Sequence, residues 1–336
     1  MTPTRGPAMT DVARLAGVSH QTVSRVINGH PNVTEATRTR VNQAITQLGY
    51  RPNTAARALV TGSNRTIGIV GTGHALHGPV STLYSVERAA RQAGYSVLVG
   101  VPTSLDEDAI NACVRRLQKQ GVDGVVVIAP LRTDNGDIAG LAGDLPLVAV
   151  EGSPAGELAV VSVDQVAGAR AATSHLLELG HREVWHVAGP LGWYEAADRV
   201  SGWRMAHEDR GIDPPPILNG DWTAKSGCAA GTVLAQIAGV TAVFAGNDSM
   251  ALGVLRALDA AGRSVPRDVS VVGFDDVPDA EFYSPPLTTI RQEFGEVGIR
   301  SVEILLAQIE SGTRSTRRFS IAPRLVTRAS TGAPPD

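Results

Sequence analysis

"VSHQTVSRVINGH", residues 18–30, is the stretch on which the reading of this chain turns. Ser19 offers a side-chain oxygen to cap a helix, and Val23, Val26 and Ile27 recur at the spacing of one helical face. His20, Gln21, Ser24 and Arg25 are left on the other face, and Gly29 ends the helix. Just upstream, "DVARLAG" puts Val12, Leu15 and Ala16 on one face, and Gly17 stops that helix where a left-handed backbone is cheap. Two short helices across a tight turn predict a helix-turn-helix. Its second helix carries a Gln and an Arg free to make paired contacts to adenine and guanine in a major groove.

Working outward, a third helix is expected from Thr34, with Ala36, Val41, Ala44, Ile45 and Leu48 as its apolar stripe up to Gly49. Pro52 bars that helix from continuing, and Asn53 caps one further short helix ending near Leu59. So short a helix is marginal alone in water and needs a packing partner, such as a dimer mate on DNA. Leu59 on it suits either a wedge into a minor-groove base step or packing between domains.

Charge sets this head apart. Through Arg65 the chain carries eight arginines against Asp11 and Glu35, a net of +6, whereas the whole chain is −3, leaving −9 on the remainder. A basic head on an acidic body suits a nucleic-acid-binding module, and a merely solvated basic face gives the same charge. A length of 336 residues favours two or three domains, and 36 glycines with 4% aromatics suggest many tight strand-to-helix turns. No apolar run is long enough to span a bilayer, and "MTPTRGPAMTDVARLAG" lacks the apolar region of a secretion signal, so a cytoplasmic location without membrane attachment is expected. Cys113 and Cys228 lie far apart with no Cys-x-x-Cys pair and read as buried free thiols, with no metal site.

The body alternates strand and helix. "TIGIV" (66–70), "YSVLVGV" (95–101), "DGVVVIA" (123–129) and "LPLVAVEG" (145–152) read as buried parallel strands, separated by helices around 81–93 and 105–120. A second set follows Asp164: helix 164–179, strand "EVWHVAG", helix 195–210, strand "TAVFAGN", helix 248–261 and strand "VSVVGFDD". The expected fold class is an all-α helix-turn-helix head plus a two-lobed α/β core of parallel sheets flanked by helices. Ligands in such sheets collect at the carboxyl ends of strands.

Those ends are polar: Asn247 and Asp248 after "AVFAG", Asp275 and Asp276 after "VVGF", and Trp193, Glu195 and Arg199 after "VAGP". Carboxylates that accept hydroxyl protons, Asn and Arg that donate, and aromatic faces suit neutral polyols. Asp248 is expected as a helix N-cap and Asp276 as a loop residue; Asn247, Asp275 and Arg199 are expected to bind ligand. An enzyme is not expected, and no cofactor. "GTGHALHG" (71–78) has Leu76 where a dinucleotide fingerprint needs glycine. No Gly-x-Ser-x-Gly elbow, Walker loop or His-Glu-x-x-His pair occurs, and adjacent Asp275 and Asp276 cannot flank a glycosidic bond. His74 and His77 read as loop or interface histidines.

From about Thr10 to Ala329 the chain resembles the LacI/GalR family of bacterial transcription regulators, in its lactose-repressor branch. The motifs, in family order, are "DVARLAGVSHQTVSRVING", "GYRPNTAARAL", "LLELGHREVWHVAGP", "RVSGW", "NDSMALGVLRAL", "DVSVVGFDD" and "PPLTTIRQEFGEVG". The resemblance implies a homodimer that binds palindromic double-stranded operator DNA and is released by a small sugar held between the core lobes. The alternatives are a purine-type corepressor protein and a sugar-binding protein without regulatory role. It implies a DNA-binding domain at 9–52, a hinge at 53–65 and an effector core at 66–332. The first lobe then takes about 66–163 plus 292–322, and the second about 164–290 plus 323–332.

The DNA-contacting residues expected are Thr10, Ser19, His20, Gln21, Thr22, Ser24, Arg25, Asn28, Thr37, Asn53, Ala56, Arg57 and Leu59. In the core, Arg199, Asn247 and Asp275 match the family's hydroxyl-binding positions, and Trp222 and Phe294 its aromatic contacts, with Pro79 in the shared "ALHxP" stretch. Glu151 stands where the lactose-repressor branch has an aspartate and Thr72 where it has a serine, which changes reach. "GWYEAAD" departs further, bringing Trp193 and Glu195. The tail "RASTGAPPD" is too short and proline-bearing for the leucine-heptad coil of tetrameric relatives, so dimers are expected.

Overall fold

The structure is a computed structural model that describes residues 7–27, 30–50, 63–73, 76–128, 143–151 and 158–335. The chain divides into two compact units, residues 1–64 and 65–336.

The first unit holds α1 (Met9–Ala16), α2 (His20–Ile27) and α3 (Glu35–Leu48). Local chemistry places each end. Asp11 reaches back to accept a hydrogen bond from the Ala8 amide at 2.9 Å, and Gly17 closes α1 at φ 63°. Ser19 Oγ accepts from the Thr22 amide at 3.1 Å, and Thr34 Oγ1 accepts from the Thr37 amide at 3.4 Å, so both start helices as expected. Val12, Ala13, Ala16, Val23, Val26, Val41, Ala44 and Tyr50 form one small core. Two expected core residues stand outside it: Leu15 is 46% exposed and Ala36 is exposed, because the buried face of α1 runs through Ala13 and only the second half of α3 reaches the core.

The second unit is built on two six-stranded sheets. Its strands are β1 (Thr66–Val70), β2 (Ser96–Gly100), β3 (Gly124–Ile128), β4 (Leu147–Val150), β5 (Ala159–Val163), β6 (Trp185–Ala188), β7 (Leu218–Asn219), β8 (Ala242–Ala245), β9 (Ser270–Asp275), β10 (Thr288–Arg291), β11 (Arg318–Ile321) and β12 (Arg324–Val326). Its helices are α4 (His77–Gln92), α5 (Glu107–Lys119), α6 (Gln165–Glu178), α7 (Tyr194–Glu208), α8 (Ala224–Gln236), α9 (Asp248–Ala260) and α10 (Phe294–Ser311). The sheets run β11-β5-β4-β3-β1-β2 and β12-β10-β9-β8-β6-β7, parallel throughout except that β12 pairs antiparallel with β10.

Unbroken apolar strands make sense here because helices cover both faces. Along β3, Val126 and Ile128 enter the core on one side and Val125 and Val127 the core on the other. In the second sheet Val243 and Ala245 face one core, and Ala242 and Phe244 the opposite one. Each fully buried aliphatic side chain contributes about 1.5–3 kcal/mol relative to exposure. β2 departs from the expected buried strand: it is an edge strand with Val99 47% exposed, because only β1 pairs with it. Small residues let helices meet closely. A Cβ on Gly253 of α9 would lie 2.0 Å from the Ala224 carbonyl oxygen of α8, so only glycine fits. Cys113 is buried as expected, while Cys228 is only half-buried, and both are free.

Three crossings join the lobes, at Asp164 after β5, at Gln292–Glu293 after β10 and at Ala322–Pro323 between β11 and β12. The carboxyl ends of β3, β4, β8, β9 and β10 and the starts of α4, α7 and α10 meet at one cleft. No helix among the described residues is long and apolar enough to cross a membrane, and no cluster of three or more His, Cys, Asp or Glu among them suits a metal ion.

Candidate functional site

On the first unit α2 presents its polar face. Val23 and Val26 anchor it inward, and His20, Gln21 and Arg25 are exposed, as are Ser19 and Thr10 nearby. Thr22, Ser24 and Thr37 are half-buried. Ser19 and Thr22 share a hydroxyl–hydroxyl bond of 2.9 Å, which fixes the turn rather than leaving both groups free. Asn28, Asn53, Ala56, Arg57, Leu59 and His74 lie outside the described residues.

The cleft of the second unit is open on one side and spans about 630 Å³, open solvent included. From the first lobe it is lined by Pro79, Glu151 and Phe294, and from the second by Trp193, Glu195, Arg199, Trp222, Asn247 and Asp275. Thr72 is buried but does not line it.

At its floor lies a buried polar network. Arg199 donates from Nε to Gln165 Oε1 at 2.9 Å and from Nη1 to the Gly246 carbonyl, and its Nη2 stands 3.7 Å from Asp275 Oδ1. Gln292 Nε2 donates to the same Asp275 oxygen at 2.6 Å, and Gln165 Nε2 donates to Gln292 Oε1 at 2.9 Å. Glu151 Oε1 accepts from the Val163 amide at 2.9 Å and from Gln165 Nε2 at 3.4 Å. Each glutamine sits at a crossing between the lobes, so the network joins the ligand-facing groups to the connecting segments.

Burial governs the titrations. It pushes Asp275 up, against the opposing charges of Arg199 and His77. It lifts Glu151 to about 7. Glu195 is raised well above the carboxylate range, first by burial and then by the charge of Glu151. The guanidinium of Arg199 lies over the Phe274 ring at 3.8 Å and 5.4 Å from the Trp222 centroid, so rings cover the faces it does not use for hydrogen bonds.

Asn247 commits one amide hydrogen and one lone pair of its side chain to the fold, and the rest lines the cleft. Its Oδ1 caps α9 by accepting from the Met250 amide at 2.8 Å, and its Nδ2 donates to the Trp222 carbonyl at 3.1 Å. The N-cap role expected of Asp248 therefore belongs to Asn247. Asp248 is instead fully buried, accepting from Thr289 Oγ1 at 2.5 Å and the Val277 amide at 2.8 Å. Asp276 is a structural loop residue, tied to Arg291 and Arg328. Glu151, Trp222 and Asp275 hold left-handed backbone at φ 52°, 72° and 112°, strain of about 1–3 kcal/mol each that gathers at the cleft.

Sequence reasoning missed three lining residues that matter. His77, expected as a loop or interface histidine, opens α4 inside the cleft with its ring edge-on to Phe294 at 5.7 Å. Gln165 and Gln292 were unmarked; the signal was that each follows a strand end by a residue or two, where the chain changes lobes.

The family "Bacterial regulatory proteins, lacI family" matches residues 8–53, and "Periplasmic binding protein-like domain" matches 173–331. The lactose operon repressor of Escherichia coli (strain K12) is 36% identical over 328 residues, 96% of this chain and 90% of that protein. The HTH-type transcriptional repressor PurR of Haemophilus influenzae (strain ATCC 51907 / DSM 11121 / KW20 / Rd) is 34% identical over 95% of this chain and 97% of its own length. Among solved structures, the Lac repressor dimer bound to operator and the anti-inducer ONPF superposes with a TM-score of 0.86 at 34% identity, covering 98% of this chain and 100% of that one.

Proposed function

This chain belongs to the LacI family of bacterial regulatory proteins, DNA-binding transcriptional repressors and not enzymes, and from that premise we propose a sugar-released repressor working as a homodimer on a palindromic operator. Gln21 and Arg25 of α2 read base edges, while His20, Ser19, Thr10 and Thr37 position the helix on the backbone. Leu59, which lies outside the described residues, acts as a wedge in the minor groove. The protein acts in the cytoplasm, on the nucleoid.

In the core, a small sugar sits between the lobes, its hydroxyls on Arg199, Asp275, Asn247 and Glu151 and its ring against Trp222 and Phe294. The observation that carries this reading is the buried Arg199–Asp275 pair, walled by aromatic rings at the meeting of the two lobes. Because Arg199 and Asp275 bond Gln165 and Gln292 at the crossings, a ligand that engages them favours one lobe arrangement. Binding the DNA-incompetent arrangement about a hundredfold better shifts the equilibrium by roughly 2.7 kcal/mol. A relative named HTH-type transcriptional repressor PurR matches the chain nearly as well as the lactose operon repressor, and the competing reading is a purine corepressor.

The test is to enrich operator sequences from random duplex DNA with the purified protein and then titrate sugars and purines against the bound complex. A sugar that lowers operator affinity is the expected result. A purine that raises it, with every sugar inert, overturns the proposal.

A further inference from the structure

The cleft holds more acid than base. Among the described residues, Glu151, Glu195 and Asp275 line it against one arginine, Arg199, and one histidine, His77, whose charge acts on Asp275. The hydrogen bonds of that arginine go to Gln165 and Gly246, and its Nη2 stands 3.7 Å from Asp275, which thus has its counter-charge. Glu151 accepts only from neutral donors, the Val163 amide and the Gln165 amide. Glu195 has a carboxylate oxygen, Oε2, that is buried and without a hydrogen-bond partner. A second buried group is also unpartnered: Trp222, 6% exposed, has no acceptor for its Nε1–H.

Two carboxylates from opposite lobes thus face a cleft walled by Trp193, Trp222 and Phe294, with no cation among the described residues bonded to either. An unpaired buried charge is expensive, and it is relieved only by a proton or by a cation with matching donors. A neutral sugar hydroxyl supplies donors but no charge. An ammonium supplies three donors and the charge together. A metal ion fits less well, since no three His, Cys, Asp or Glu side chains among the described residues converge to hold one. The orphaned indole N–H asks in addition for an acceptor, such as a ring or hydroxyl oxygen.

We infer that the effector carries a cationic nitrogen, of the kind an amino sugar presents, seated between Glu151 of the first lobe and Glu195 of the second. This deepens the sugar-effector reading and rests on it. The raised titrations of both glutamates fit the same picture: burial lifts each, Glu151 lifts Glu195 further, and the charge of Arg199, bonded to neither, does not offset it. A cation there also bridges the lobes, so its binding bears directly on the arrangement that the crossings transmit.

The experiment is calorimetric titration of the full chain at neutral pH with matched sugars: glucose, glucosamine and N-acetylglucosamine, and the galactose set. In at least one set the amine is expected to bind tenfold or more tightly than the hydroxyl parent, with the acetylated form, which has lost the charge, weakest. Glu195→Gln, which keeps size and shape, is expected to bring the amine-to-parent ratio close to one. A melting curve of ligand-free E195Q at or above that of the unaltered protein separates this from a folding defect. A parent sugar that binds as well as its amine overturns the inference while leaving the sugar reading intact, the two carboxyls then sharing a proton over a neutral hydroxyl. Binding by no member of either set, with a purine response, overturns both.

Discussion

Gly189 lies directly beneath the Trp222 indole: a Cβ at 189 would stand 2.2 Å from the ring's Cη2. The strand end after β6 thus holds a glycine because an aromatic wall of the cleft rests on it. Gly189→Ala is expected to push the indole into the ligand space, weakening effector binding tenfold or more and destabilising by about 1–3 kcal/mol through overpacking. Titration calorimetry and a melting curve on the same variant check both, and unchanged ligand affinity would free Trp222 from any role in the wall.

Glu151 gives a pH signature. Its folded value near 7 exceeds the ordinary 4.5, so its contribution to stability is fully present below about pH 4.5 and is lost as pH rises through 7. Glu151→Gln keeps an acceptor for the Val163 amide and removes that loss. The variant is expected to melt with the unaltered protein near pH 4.5 and to be more stable by about 3 kcal/mol at pH 8, a gap of two to three pKa units at about 1.4 kcal/mol each. Melting curves that coincide at pH 8 contradict a desolvated Glu151.

His186 acts with the opposite sign. Burial in the second lobe lowers it to about 4, below the ordinary 6.5. Its neutral form is the folded one, stacked on Phe244 at 4.5 Å with Nδ1 bonded to the Phe244 carbonyl at 2.9 Å. Stability is present above about pH 6.5 and falls as pH drops toward 4. His186→Gln is expected to flatten that acid limb in urea unfolding followed at several pH values; an unchanged limb assigns it to other groups.

The head of the molecule was read largely from its punctuation. Gly17, Ser19, Thr34 and Gly49 mark helix ends by local chemistry that needs no tertiary contact, and each does so in the structure. Leu15 and Ala36 escaped because periodicity tells which residues share a face and not which turn of the helix meets a neighbour. In the core, Val-rich strands sandwiched by helices are plain, whereas β10, β11 and β12 span three or four residues and carry Thr, Ser or Arg, and β5, as long as β1, is legible yet missing from the expected strands. α8, "AKSGCAAGTVLAQ", is not marked by the sequence pattern, since its small residues serve close packing and give little amphipathic contrast, whereas α10 carries Val297, Ser301, Val302 and Leu305 as a legible buried stripe missing from the expected helices. Arg199 and Asp275 were legible as polar groups at strand ends. The glutamines that connect them were not, since a buried amide network is visible only once the crossings bring residues 165 and 292 together.

DNA reading is testable side chain by side chain. Gln21→Ala and Arg25→Ala are each expected to cost about 1–3 kcal/mol on the enriched operator and to relax base preference at one position. Equal losses on random duplex would assign both side chains to phosphate contacts. Leu59→Ala is expected to weaken operator binding while sugar affinity stays the same.

Release of the operator by a sugar depends on that sugar occupying the cleft through Arg199 and Asp275. The most direct measurement is a thermal-shift screen of the purified protein against mono- and disaccharides, amino sugars, sugar phosphates and purines, repeated on Asp275→Asn. A ligand at a hundred times its dissociation constant adds about 2.7 kcal/mol of stability. One sugar is expected to raise the melting temperature of the unaltered protein and to leave D275N unmoved. A purine response with silence from every sugar would contradict that expectation.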